Sequence, residues 1–370
     1  MQAPLKSILL AATAIAFSAV PALAEAPRVV ASIKPIHALV ASVMGDLGTP
    51  DLIVEGAASP HAYSLRPSNA AALEAADLVF WTGHGMELFL EDSINTLAPR
   101  ATIVELATSP GITLLPPREG GAFEGHDHDG DGVPDEEGEE HADEHAGHDH
   151  GAEADHAHEA EAGHDHEAEG HDHDGDHEAE GHVDLAHEGH DHEGHDHGEE
   201  LDMHFFLDPA NAAIMVDAIA AALSAADPDD AATYAANAAA TKADLEALAS
   251  EVAAKLDPVK ARPIVVFHDA YQYFEQRFGL NVAGSITVNP ENAPGAARIG
   301  EIRAKLGELD TACVFAEPQF DKRVVDVLTE GTSARQGVLD PEGADIEPGP
   351  GAYRQLIERL ADNLVACLDQ

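Results

Sequence analysis

Beyond the first two dozen residues, short apolar runs alternate with helical stretches. "RVVASI" (28–33), "LIV" (52–54), "DLVFWTG" (77–83) and "TIVEL" (102–106) are separated by segments such as "PSNAAALEAAD". Short apolar runs between helical segments predict βα units on a mainly parallel sheet. The pattern stops near Arg118 and resumes at "MHFFLDP" (203–209). A second series follows with "PIVVFHDA" (263–270), "NVAGSIT" (281–287), "ACVFAEPQF" (312–320) and "GVLDPEG" (337–343), then a final helix from about Tyr353 to Leu368. Between the two series, residues 228–256 are alanine-rich, with no glycine and no internal proline. They predict one helix roughly 40 Å long at 1.5 Å per residue. Asp227 and Pro228 suit its N-cap and first helical position.

The fold class that follows is α/β: two lobes with mainly parallel sheets joined by one long, rigid helix. A ligand then belongs in the cleft between the lobes, at the carboxyl ends of the strands. The N-terminal lobe takes residues 25–227, the linker helix 228–256 and the C-terminal lobe 257–370.

The N-terminus adds a destination. Lys6, the apolar stretch from Ile8 to Val20 and the Ala22-Leu23-Ala24 cleavage pattern read as a signal peptide over residues 1–24. The apolar stretch is short for a membrane anchor, and no cysteine stands near the cleavage point to carry a lipid. No later segment reads as membrane-crossing, so a soluble periplasmic chain is expected. In that oxidising compartment the only cysteines, Cys313 and Cys367, can pair, or remain as two buried thiols. Pairing would stabilise by about 4 kcal/mol through the entropy of the closed loop.

Charge is unevenly distributed. The formal net charge of the 370 residues is −50, yet between Glu119 and Asp202 lie 33 acids, 19 histidines and no lysine or arginine. Outside that tract 36 acids face 19 bases, an acidity that argues against nucleic acid or an anionic membrane as partner. The tract has almost no branched aliphatic or aromatic residue, too little to offset the entropy of ordering, so it is expected to be disordered without metal. Repeats such as "GHDHE" put imidazoles and carboxylates at every second or third position, as at His164, His166, His171, His173, His190, His192, His195 and His197. Two motifs inside it are weaker. Asp127, Asp129, Asp131 and Asp135 follow a calcium-loop spacing, but position 12 is Gly138 in place of glutamate. "HADEH" (141–145) matches an inverted zinc-protease motif without an apolar helix face to support it.

Five histidines lie outside the tract, and three share a setting. His268 closes the apolar run Ile264–Phe267 at a strand's carboxyl end. His61 follows the run at 52–54 in "GAASPHAYSLRPS", and His204 borders Phe205–Leu207. Neutral imidazole is a good zinc ligand, and three histidines with an open fourth position form a tetrahedral site. His37 and His84 read as structural, with His84 in "WTGHGMELFL" a neighbour to the site.

At these residues the chain resembles the zinc-binding periplasmic receptors of bacterial ABC importers, the ZnuA-like group of cluster A-I (solute-binding protein 9 family). "SPHAYSLRPS", "MHFFLDP", "FHDAYQYFEQRFGL", "CVFAEPQF" and "GTSARQGVLDPEG" carry the resemblance, with the acidic histidine tract inserted in the first lobe. It implies two pseudo-symmetric lobes on a rigid helix and zinc held by His61, His204 and His268. It also implies a Cys313–Cys367 disulfide and delivery to a membrane permease. Where some relatives carry a glutamate beside the first histidine this chain has Pro60, and Asp340 matches the second-lobe carboxylate of manganese-binding cousins. Water is the favoured fourth ligand, Asp340 the alternative.

Three imidazoles favour zinc over manganese. The expected function is a monomeric periplasmic receptor that captures one tight zinc ion and is not an enzyme. The tract would collect or sense further ions at low affinity, within a reach of order 50 Å. A metal buffer or chaperone, a manganese receptor and a metallohydrolase are the competing readings. For the last of these, Asp269, next to His268, is the candidate general base.

Overall fold

A computed structural model describes residues 26–118, 201–287, 290, 294–308 and 312–369. The signal peptide, the tract from 119 to 200, its eight representative histidines, the calcium-like loop and "HADEH" lie outside the described residues.

The first lobe is built from β1 (Val29–Ala31), α1 (Lys34–Met44), β2 (Asp51–Leu52), α2 (Pro67–Ala75), β3 (Leu78–Trp81), α3 (Leu88–Leu97), β4 (Thr102–Glu105) and α4 (Pro209–Ala226). Its strands lie in the order β2-β1-β3-β4, all parallel. Every residue of β1 and β3 is buried. Helices covering both faces of a parallel sheet demand such unbroken apolar strands.

After α5 (Ala231–Leu256) the second lobe follows, with β5 (Pro263–His268), α6 (Gln272–Phe278), β6 (Asn281–Thr287), α7 (Ala296–Glu308), β7 (Cys313–Ala316), α8 (Arg323–Thr329), β8 (Arg335–Val338) and α9 (Ala352–Leu368). Its order, β6-β5-β7-β8, repeats that of the first lobe, again parallel throughout. Gly279, in the left-handed region at φ 69°, ends α6 and turns the chain into β6.

The long helix spans residues 228–256 as its composition suggests, but its first turn is not α-helical. Pro228–Asp230 form a 3-10 turn, and the Asp227 carboxylate accepts the Tyr234 hydroxyl at 3.0 Å and caps no backbone amide. Tyr234, Ala238, Leu245, Leu248, Val252 and Leu256 make the buried stripe of α5. That stripe packs on α1 and α4 of the first lobe and on α9 of the second. One hydrophobic cluster therefore runs from Val30 and Phe80 through Leu248 to Leu360. Along β5, Ile264 and Val266 join that cluster, while Val265 and Phe267 point to a second one with Ile286, Val314 and Leu328.

Helix α4 departs from the expectation that no later segment would be long and apolar enough to span a bilayer. Its 18 residues have a mean hydropathy of 1.4. The apolarity serves packing: Ala212, Met215, Val216, Ile219 and Leu223 are buried, and the helix lies against α1 and α5. Cys313 at the start of β7 is disulfide-bonded to Cys367 in α9, with 6.3 Å between their Cα atoms, tying the last helix to the sheet.

Candidate metal site

His268 is the final residue of β5, a central strand, so its ring emerges where strand order reverses between β5 and β7. The residue after β7 is Glu317, 3% exposed. Its Oε2 and Oε1 lie 2.7 and 2.9 Å from His268 Nδ1, and Oε1 also accepts from the Tyr271 hydroxyl at 3.2 Å. His204 opens the 3-10 turn His204–Leu207, anchored by the fully buried Phe205, Phe206 and Leu207. Asp208 then caps α4 and receives Arg277 in two 2.6 Å hydrogen bonds. Both the backbone amide and Nδ1 of His204 meet Asp202 Oδ1, at 3.0 and 2.8 Å. His61 lies in the 3-10 turn Pro60–Ala62, its amide donating to Ser59 Oγ at 3.3 Å.

The structure brings these three rings together. One ring nitrogen from each of His61, His204 and His268 lies within 4.8 Å of the other two, and the Nε2 atoms of His204 and His268 are 3.3 Å apart. A carboxylate can only accept, so in the neutral rings Nδ1 of His268 and His204 donates to Glu317 and Asp202, and each Nε2 then offers a lone pair. Two lone pairs facing at that distance repel unless a cation lies between them. Nitrogen ligands about 2.0–2.1 Å from a tetrahedral ion sit about 3.4 Å apart, the spacing found here. A carboxylate behind a ligating histidine also fixes the ring and raises its basicity.

Electrostatics separate the rings. Burial, then the neighbouring His204 and His268, holds His61 well below the ordinary 6.5. Burial acts downward on His268 as well, but the charge and hydrogen bond of Glu317, with Asp269 and Asp202, outweigh it and raise the value.

Other candidates stand apart from the trio. Asp340 Oδ1 accepts from Gln319 Nε2 at 2.8 Å and from the amides of Glu342 and Gly343 at 3.1 and 2.9 Å, while Oδ2 accepts from Ala344 N at 2.6 Å. It is not among the converging ligand atoms. His37 is buried in α1 with Nε2 on the Pro50 carbonyl at 2.9 Å. His84, its side chain 68% exposed, pairs with Glu91 at 3.2 Å. Asp269 is bound to the Arg118 guanidinium, which also meets Glu275.

Two site residues escaped the sequence. Asp202 ends the acidic tract and so carries no signal of its own, though it stands two positions before His204. Glu317 lies in "CVFAEPQF", at a strand end like His268, and that placement is its only signal.

The family model for the periplasmic component A of a zinc-uptake complex, ZnuA, matches residues 29–367. The chain belongs to the ZnuA family. The high-affinity zinc uptake system protein ZnuA of Brucella suis biovar 1 (strain 1330) is 48% identical over 346 residues, 94% of this chain and 93% of that protein. Its counterpart in Paracoccus denitrificans (strain Pd 1222) is 39% identical over 363 residues, 98% of each chain. A crystal structure of ZnuA superposes with a TM-score of 0.65 at 22% identity, over 93% of this chain and 99% of that one, a likeness of fold. As a ZnuA family member the chain is a periplasmic binding component of zinc uptake and not an enzyme.

Proposed function

We propose that this protein captures one Zn2+ between its lobes through His61, His204 and His268 and hands it to the permease of an ABC importer. The 3.3 Å approach of two imidazole Nε2 atoms, each backed by a carboxylate on Nδ1, carries the assignment. Three neutral imidazoles suit zinc better than manganese. Water completes the shell in this reading, because the Asp340 carboxylate is spent on three backbone amides and a glutamine.

The tract between Arg118 and Leu201 acts as a low-affinity collector. Each capture by ligands spread along a sequence costs the entropy of gathering them, so its sites are expected to be individually weaker than the preformed trio. Their number and tethering offset this, since linked sites reach millimolar effective concentration.

Zinc titration with chelator competition tests both parts. The expected result is one tight ion per chain, lost in His61→Ala, His204→Ala or His268→Ala, with manganese bound more weakly. Deleting residues 119–200, a span that spares Asp202, removes the weak ions and lowers uptake at limiting zinc. Unchanged uptake and ion count would make the tract a solubilising insert. Affinity confined to 119–200 would make the protein a metal buffer.

A further inference from the structure

Tyr273, in the first turn of α6, belongs to the second lobe, but its hydroxyl is held by first-lobe backbone. It accepts from the Leu115 amide at 2.8 Å and donates to the Asp202 carbonyl at 2.6 Å. Leu115 and Asp202 are bridged as an antiparallel pair, Asp202 N donating to Leu115 O at 2.9 Å. Gln272 Nε2 donates to the Pro116 carbonyl at 2.9 Å, and Arg118 pairs with Asp269 and Glu275. The first-lobe segment Leu115–Arg118 is thus fastened to α6 and to Asp269 just before it.

The side chain of Asp202 has little else to orient it. Its Oδ1 is committed to His204, and its Oδ2 is buried with no hydrogen-bond partner among the described residues. The direction of the carboxylate is therefore inherited from its backbone, and Tyr273 holds that backbone. A buried hydroxyl serving as both donor and acceptor to two bridged segments is costly to leave half-satisfied, which makes the arrangement well defined.

Building on the zinc site proposed above, we propose that Tyr273 is a positioning residue for zinc capture: from the second lobe it pins the Leu115–Asp202 bridge and so keeps His204 in its ligating orientation. One of the two ligands contributed by the first lobe then has its correct aim only when the lobes are docked at this point.

The test uses the full mature chain. Tyr273→Phe removes the hydroxyl and keeps the ring. Expected are a zinc affinity about tenfold weaker, the size of effect seen for outer partners of metal ligands, a faster dissociation and a shifted absorption spectrum of the cobalt(II) form. Asp202→Asn weakens binding too, and the double variant binds no worse than Asp202→Asn alone, because both changes act on one pair. Tyr234→Phe, which breaks a buried tyrosine hydrogen bond to Asp227 away from the trio, lowers thermal stability and leaves zinc binding and the cobalt spectrum unchanged. The proposal is overturned if Tyr273→Phe keeps wild-type affinity, rate and spectrum, or if its penalty adds in full to that of Asp202→Asn. Wild type and His204→Ala, measured first, judge the zinc site itself: a tight ion that survives His204→Ala would overturn that assignment and this one with it.

Discussion

Asp202 and Glu317 each accept a hydrogen bond from Nδ1 of a histidine whose Nε2 faces the cleft, so their charge acts on the metal through one imidazole. Glu317→Gln keeps an acceptor in place but removes the charge. It is expected to weaken zinc binding about tenfold, as measured against a chelator of known affinity. The same charge sets the pH response. His268 has its pKa raised chiefly by Glu317 against the opposing effect of burial, so protons compete with zinc as pH falls from a point above the ordinary 6.5. His61, held far lower, adds its proton only under more acid conditions. Zinc affinity should therefore decline in two stages on acidification, and in Glu317→Gln the first stage should move to lower pH. Titrations between about pH 8 and pH 5 check this. His268 was readable in the sequence because an apolar run ends on it. Asp202 was not: at the end of a tract holding 33 acids one more carboxylate has no contrast, and its partners Leu115 and Tyr273 come from distant segments. Glu317 meets His268 only because β5 pairs with β7, a neighbour relation that local pattern does not specify.

Among the elements, strands were more legible than helix starts. The all-buried β1, β3 and β7 coincide with apolar runs because covered parallel strands tolerate no alternation. The long helix starts at Pro228 as its composition suggests, but its cap was not legible, because Asp227 is an equally good partner for a tyrosine hydroxyl and for a helix N-terminus, and Tyr234 takes it. The loop after β8 has a separate pH dependence. Asp340 gathers three amides of this loop, and Lys34 from α1 reaches across to the carbonyls of Gly343 and Ala344. Between them Glu342 is 7% exposed, and burial, then the charges of Asp340 and Glu87, push its carboxyl up to about 8. The folded form keeps this proton while the unfolded chain loses it near 4.5, so stability drains away as pH climbs from 4.5 to about 8. Glu342→Gln should raise the melting temperature at pH 8 and change it little at pH 4.5. Each tenfold change in proton affinity is worth about 1.4 kcal/mol, so the gain at pH 8 is on the order of a few kcal/mol.

At the scale of the molecule, the two-lobed architecture was legible because the βα series occurs twice with an alanine-rich helix between. The sharing of one core by both halves was not, because it depends on which face α5 turns to each neighbour. The disulfide closes a loop spanning 54 positions and fastens α9, the second-lobe helix that packs on α5. Replacing both cysteines with serine should cost about 4 kcal/mol, read as a lower midpoint in urea. That helix has a consequence for heating as well. Two separate nuclei would melt one after the other, but the apolar cluster threaded through Leu248 leaves neither half complete without its neighbour. Calorimetry of the zinc-free protein should record a single endotherm, whose van't Hoff and calorimetric enthalpies agree for the whole chain.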